Sequence, residues 1–496
     1  MPRSNRWFRL SASAVCAVLV AACGLREGPP NGDSGAVEAA KIPVSTGSAD
    51  ARRDYLEGRA LAEKLRFRQA RERFERAAGE DSTFAMAHYS LALNAASPND
   101  FFAHLGHAVA LADKASEGER LLIQALEAGA NADPARQRQY YLQLVTSYPE
   151  DERAHLLLAT ADFARQDYAS AAEQLRKSVQ IAPDFAPAYN LLGYAYIPMR
   201  RYADAEKAFR KYIQLIPKDP NPYDSYAELL MKTGRYPESI VQYRKALAAD
   251  STFMNSYVGV ATNFMYLGQP DSAIATTKQL ERVADDNGGR RLATFSRAVT
   301  YADQGKLDRA QRELEAQRAL AEHDHDPALI ANDAAAIGDV LLEAGRPKDA
   351  LRRYEEAATA LQQSDLSQEV KDDAGLVLRY NRARVAIATK DLAAAKAEAD
   401  SFMAGAAAKN NDGEMRQAHE LRGTIALAEQ HYEVALDELG RGNQLDAYNL
   451  YRQGLAYRAK GDVTKAKEMF TAAANLNGLP TLNAAFVRAK AKRAAA

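Results

Sequence analysis

From Ala51 to roughly Pro480, apolar residues recur at i, i+3, i+4 and i+7 and not in alternation, the spacing that gives each helix one apolar stripe. The pattern predicts short helices throughout and no sheet, an all-α chain. The stripes themselves repeat, most clearly in Ala186–Asp219, APAYNLLGYAYIPMRRYADAEKAFRKYIQLIPKD. Its fourth residue is Tyr189, its eighth Gly193, its twentieth Ala205, its twenty-fourth Phe209 and its thirty-second Pro217. Small side chains at eight and twenty let two helix axes approach to about 8–10 Å, and the rings at four and twenty-four fill the crevice beside them. Pro217 lacks an N–H and ends the second helix.

The same frame fits 51–84 with Gly58 and Ala70, 152–185 with Ala159 and Ala171, 220–253 with Ala227, and 254–287 with Ala261 and Ala273. It returns at Ala298 and Ala310, Gly338 and Ala350, Ala383 and Ala395, Gly423 and Ala435, and Gly454 and Ala466. Residues 85–151, 67 positions, are two further hairpins whose spacing has slipped. About twelve units result. This recurrence resembles the tetratricopeptide repeat family, a helix pair per 34 residues. The resemblance implies a right-handed superhelical solenoid of stacked antiparallel hairpins, with a concave groove lined by the first helix of each. The expected organisation is an array over 51–287, degenerate at 85–151, a second array over 288–480, joints at 325–331 and 362–375, and a capping helix at 481–496 with a solvated basic face (Arg488, Lys490, Lys492, Arg493).

Composition adds little to the fold and much to the address. The 496 residues carry 64 basic and 65 acidic side chains, so bulk charge gives no reason to bind nucleic acid. Both cysteines, Cys16 and Cys23, lie at the N-terminus, which leaves the body without thiol chemistry or a disulfide framework. Arg3, Arg6 and Arg9 precede an uncharged run over 10–22, too short to span a bilayer and ordered like a secretory leader. The sequence Val20-Ala21-Ala22-Cys23-Gly24 resembles the lipobox of bacterial lipoproteins. That resemblance implies removal of residues 1–22, acylation of Cys23 with palmitate-class chains, and an envelope location, on the outer membrane facing the periplasm. Two or three chains anchor far more firmly than one. Residues 23–50, rich in Gly, Pro and Ser, read as the acylated cysteine and a flexible tether.

No phosphate-binding loop, zinc-protease, nucleophile-elbow or calcium-loop motif is present, so the expectation is a non-enzyme without cofactor or metal. His104 and His107 share a helix face but lack an identifiable third ligand. Glu322–Asp326 alternates acids and histidines in a link and reads as a solvated turn.

What the resemblance does supply is the groove. Its second, fifth, ninth, twelfth and thirteenth positions fall on Asn190, Tyr194, Asn221, Asp224, Glu228, Lys232, Asn255, Thr262 and Tyr266. Amides, tyrosines and isolated charges of this kind suit a protein or peptide partner. The expected function is a membrane-anchored, non-catalytic scaffold in envelope assembly; the alternative is a lipoprotein that captures a glycan or peptide beside a transporter.

Overall fold

The computed structural model describes residues 40–496 except 65, 96, 97, 132, 365, 367, 410 and 480. The leader and Cys23 lie outside the described residues. Within them the chain forms twenty-five α-helices and no strand. None is long and apolar enough to cross a membrane. The first twenty-four pair as twelve antiparallel hairpins, beginning with α1 (Ala49–Glu63) and α2 (Phe67–Glu80). The slipped region supplies two of them: α3 (Ala85–Leu93) with α4 (Pro98–Leu111), then α5 (Glu117–Ala130) with α6 (Pro134–Ser147). The chain continues through α7 (Glu152–Ala164), α8 (Tyr168–Ile181), α9 (Ala186–Tyr196), α10 (Tyr202–Leu215), α11 (Pro220–Lys232), α12 (Tyr236–Ala249), α13 (Met254–Tyr266) and α14 (Pro270–Val283).

Helices then lengthen. They are α15 (Asn287–Asp303), α16 (Leu307–His323), α17 (Pro327–Glu343), α18 (Pro347–Gln362), α19 (Gln368–Thr389), α20 (Leu392–Ala408) and α21 (Asp412–Ala428), followed by the shorter α22 (Tyr432–Arg441), α23 (Ala447–Ala459), α24 (Val463–Ala474) and α25 (Leu482–Ala495). Backbone conformation records the change. From the hairpin of α7 and α8 onward a residue of each hairpin turn has positive φ, and Gln166, Arg200, Gly234 and Gly268 stand 34 apart, whereas Gly305, Gly345 and Lys390 follow at spacings of 37, 40 and 45. The joints expected at 325–331 and 362–375 are mostly helix, since α17 starts at Pro327 and α19 at Gln368. Asp326 caps α17 by accepting from the N–H groups of Ala328 and Leu329 at 2.9 and 3.0 Å. The acid-histidine link is therefore a turn and a cap.

Two compact units emerge, one running to Leu229 and the other covering Leu230–Ala496, a division inside α11 and not at the expected 287/288. In both, the eighth-position glycine lies under the side chain sixteen residues on. A Cβ on Gly193 would sit 2.5 Å from the Phe209 ring, and Gly58 on Phe74, Gly338 on Tyr354, Gly423 on Leu439 and Gly454 on Phe470 repeat the arrangement. The expected contact between positions eight and twenty is thus refined: the nearest group to the glycine is the residue at twenty-four. Ala205 is fully buried, as are Ala70, Ala171, Ala273, Ala350 and Ala435. Where Ser239 replaces the packing alanine, Asn263 Nδ2 donates to its hydroxyl at 3.0 Å, so the buried oxygen is satisfied.

The segment expected to hang free as far as Asp50 is docked from Lys41 onward. Lys41 pairs with Glu152 at 2.8 Å, the N–H of Ile42 donates to Asp151 at 3.0 Å, and that of Ser45 donates to Glu119 at 2.9 Å. The Thr46 hydroxyl donates to Asp81 at 2.6 Å and holds that carboxyl below its ordinary range. Ser48 then caps α1. Backbone donors meeting carboxylates fix this strap without any side-chain periodicity.

Candidate functional site

The groove residues divide by unit. In the first, α9 carries Asn190 and Tyr194 one turn apart, and α11 carries Asp224 and Glu228 at the equivalent places 34 residues on. Tyr194 donates to Glu228 Oε2 at 2.9 Å and sets its ring edge-on to Phe209, with centroids 5.2 Å apart. Burial pushes the Glu228 carboxyl up to about 8; the Asp224 charge adds to the rise, and the Tyr194 hydrogen bond opposes it. The Asn190 Oδ1 atom is shielded from solvent and has no donor. Asn190, Tyr194 and Glu228 are half-buried and form one polar surface, with Asp224 buried beside Glu228.

Asn221 does not belong to it. It is buried, and its side-chain N–H donates to the Tyr212 hydroxyl at 2.8 Å, which makes it a packing residue between hairpins. At the first hairpin of the same unit, burial raises Glu63 to about 8, with Arg59 opposing and Glu152 adding to the shift; its Oε1 also lacks a donor. Lys232 is half-buried, and desolvation lowers its pKa.

In the unit Leu230–Ala496 the corresponding positions are used internally. Thr262 is 3% exposed and returns its hydroxyl proton to the Val258 carbonyl of its own helix at 2.7 Å. Tyr266 donates to the Gly478 carbonyl at 2.7 Å, accepts from the Gly478 N–H at 3.2 Å, and is covered by Arg488, 4.7 Å from its ring centre. Of the four predicted there, Asn255 is exposed and Lys232 is half-buried.

The covering element is α25. Its expected solvated basic face is divided: Lys492 and Arg493 are exposed, but Arg488 donates to Asp303 at 2.7 Å and to the Met265 carbonyl at 3.2 Å, and Lys490 pairs with Glu343, which also takes the Tyr448 hydroxyl at 2.8 Å. Phe486, Val487 and Ala491 on the same helix are buried. The helix thus packs its apolar side and its cations against first helices α13, α15, α17 and α23 of the unit. The surface that the sequence offered as groove is here an interior. A void beside Tyr266, Asp303 and Arg488 is lined by α13, α15, α24 and α25.

Sequence reasoning missed His88 on α3. It faces His104 and His107 of α4, with Nδ1 to Nδ1 of His88 and His104 at 3.4 Å. The signal was a histidine in the first helix of the very hairpin that carries the other two.

Three family models described as tetratricopeptide repeat match the chain, over residues 122–186, 162–229 and 447–478. No curated protein matches it. Similar solved structures include the Cut9–Hcn1 hetero-tetramer of the APC/C, 14% identical over 89% of this chain and 80% of that one, with a TM-score of 0.41. A tetratricopeptide repeat protein of Parabacteroides merdae is 13% identical over 52% and 98%, at 0.38. The pilF protein of Pseudomonas aeruginosa is 17% identical over 47% and 91%, at 0.29. These superpose only in part, and the repeat models together with the glycine-on-ring frame carry the assignment. The chain is a tetratricopeptide-repeat-containing protein.

Proposed function

We propose that the chain is a non-catalytic scaffold, tethered to the bacterial envelope by lipid on Cys23, that binds a protein or peptide partner on the inner face of the unit ending at Leu229. The observation that carries the reading is the contrast between the groove positions of the two units, which share the ninth place of the repeat at Tyr194, Glu228 and Thr262. Thr262 and Tyr266 are consumed by the chain's own contacts. Asn190, Tyr194 and Glu228 form a polar surface in which a shielded carbonyl oxygen lacks a donor. A peptide backbone or amide side chain is a source of such donors. The strap from Lys41 to Ser48 leaves 17 residues between Cys23 and Lys41, roughly 20–25 Å as a flexible coil.

Affinity capture from membranes tests the partner, using the full chain with Asn190→Ala, Tyr194→Ala and Asp224→Ala. The reading expects specific partners to be lost from the triple variant; full retention of every partner removes this face. Palmitate labelling tests the anchor: label lost in Cys23→Ala, with release to the soluble fraction, is the expected result, and label retained in that variant contradicts it.

A further inference from the structure

The second hairpin brings together three of the chain's eight histidines. His88, on α3, and His104, on α4, direct Nδ1 atoms at each other 3.4 Å apart. The ring of His107, one turn beyond His104, stacks on His88 with centroids 5.0 Å apart and planes 30° apart, so His88 meets both imidazoles of α4. A zinc–nitrogen bond is about 2.0–2.1 Å, and two nitrogens on the edge of a tetrahedral zinc shell are therefore about 3.3–3.4 Å apart. The pair is already at that separation. Neither imidazole takes up a proton readily: desolvation lowers both, and the other histidines add to the effect. Around His104 stand Asp100 and Glu75, whose negative charge favours a cation, and Arg71, which pairs with both at 3.7 and 3.0 Å and offsets part of it.

We propose that His88 and His104 bind one divalent transition-metal ion through their Nδ1 atoms, with water completing the shell, and that the ion staples α3 to α4. Among the described residues no three ligands of this kind converge on one point, so the site is a pair, and His107 positions the His88 ring. In the metal-free hydrogen bond one ring carries its proton on Nδ1; that proton moves to Nε2 of the same ring when the ion enters, so both lone pairs face it and no net proton is released. The nine-residue α3 belongs to the hairpin whose repeat spacing has slipped, where an added cross-link stabilises the folded state by mass action.

The test uses the full chain, freed of metal with a chelator and then desalted. Co²⁺ is followed by visible absorption and Zn²⁺ by calorimetry. The expected result is a saturable 1:1 site whose affinity falls at least tenfold in His88→Ala and in His104→Ala and is unchanged in His323→Ala, an exposed imidazole elsewhere. Equal affinity in wild type and His88→Ala overturns the proposal. A second readout needs no substitution: Zn²⁺ should protect His88 and His104 of the wild type from diethylpyrocarbonate while His323 stays reactive. Undiminished modification of His88 and His104 at saturating Zn²⁺ overturns the site independently of how the variants fold.

Discussion

The hydroxyl of Tyr194 donates to Oε2 of Glu228 at 2.9 Å across a sequence separation of 34 residues, so one hydrogen bond spans a single repeat and couples two first helices at equivalent positions. In Tyr194→Phe the half-buried Glu228 side chain loses that donor while the ring keeps its edge-on contact with Phe209. Loss of one partner from a shielded polar pair costs about 1–2 kcal/mol. Chemical denaturation of the full chain should show a lower midpoint for the transition of the unit ending at Leu229, and an unchanged midpoint would mean that the bond contributes nothing.

Protonation gives a signed test at the same place. Burial raises both Glu228 and Glu63 to about 8 in the folded chain, against about 4.3 when unfolded. Between those values the folded state holds more protons than the unfolded one, so this contribution to stability is complete below about pH 4.3 and is lost as pH rises through 8. Glu228→Gln keeps a neutral acceptor for Tyr194 and removes the titration. The variant should gain stability relative to wild type as pH goes from 5 to 8.5, by up to roughly 3–4 kcal/mol. A wild-type advantage that grows over that range contradicts the assignment.

Packing of glycine under a ring makes a third prediction. Alanine is the better helix former by about 1 kcal/mol. At Gly193, however, the added Cβ would stand 2.5 Å from Phe209, a ring that is itself fully buried. Overpacking of this kind costs about 1–3 kcal/mol and should outweigh the gain in propensity. Gly193→Ala should therefore melt earlier than wild type, and Phe209→Leu should relieve part of the difference in the double variant. A rise in melting temperature for the single variant would show that the register is misplaced.

The hairpin turns offer the opposite sign. Gln166 and Arg200 hold φ near 65° and 57°, at turn positions that Gly234 and Gly268 fill in the next two repeats. Side chains with a Cβ are disfavoured in that region by roughly 1 kcal/mol. Arg200→Gly should stabilise the chain by about 0.5–1 kcal/mol, after the added freedom of the unfolded state is offset. A denaturation midpoint below that of wild type would refute the conformational reading.

How far the sequence carries is itself decided by particular residues. The interval from position eight to position twenty is twelve residues in 58–70, 193–205, 338–350, 423–435 and 454–466, because the two helices of a hairpin must meet at the same height. That local frame was legible even where helices of 16 to 22 residues stretch the interval between hairpins. The stretching was not, since added residues extend helix ends beyond the packing positions. Nor could α25 be read: Arg488 and Lys490 look like any exposed basic pair until Asp303 and Glu343 arrive from 185 and 147 residues away. The strap was equally hidden, as Ile42 and Ser45 are held through backbone N–H groups that every residue but proline possesses. Of the groove residues, Asn190, Tyr194 and Glu228 share one surface, whereas Asp224 is buried beside it and Thr262 and Tyr266 are spent inside the fold.

The division of labour between the two inner faces is tested most directly by placing a benzoylphenylalanine photo-crosslinker at Asn190 or at Tyr266 in the full chain in cells, and reading the adducts by mass spectrometry. Position 190 should give an intermolecular adduct and position 266 an intramolecular link to residues 478–488. An intermolecular adduct at 266 with none at 190 would contradict that division.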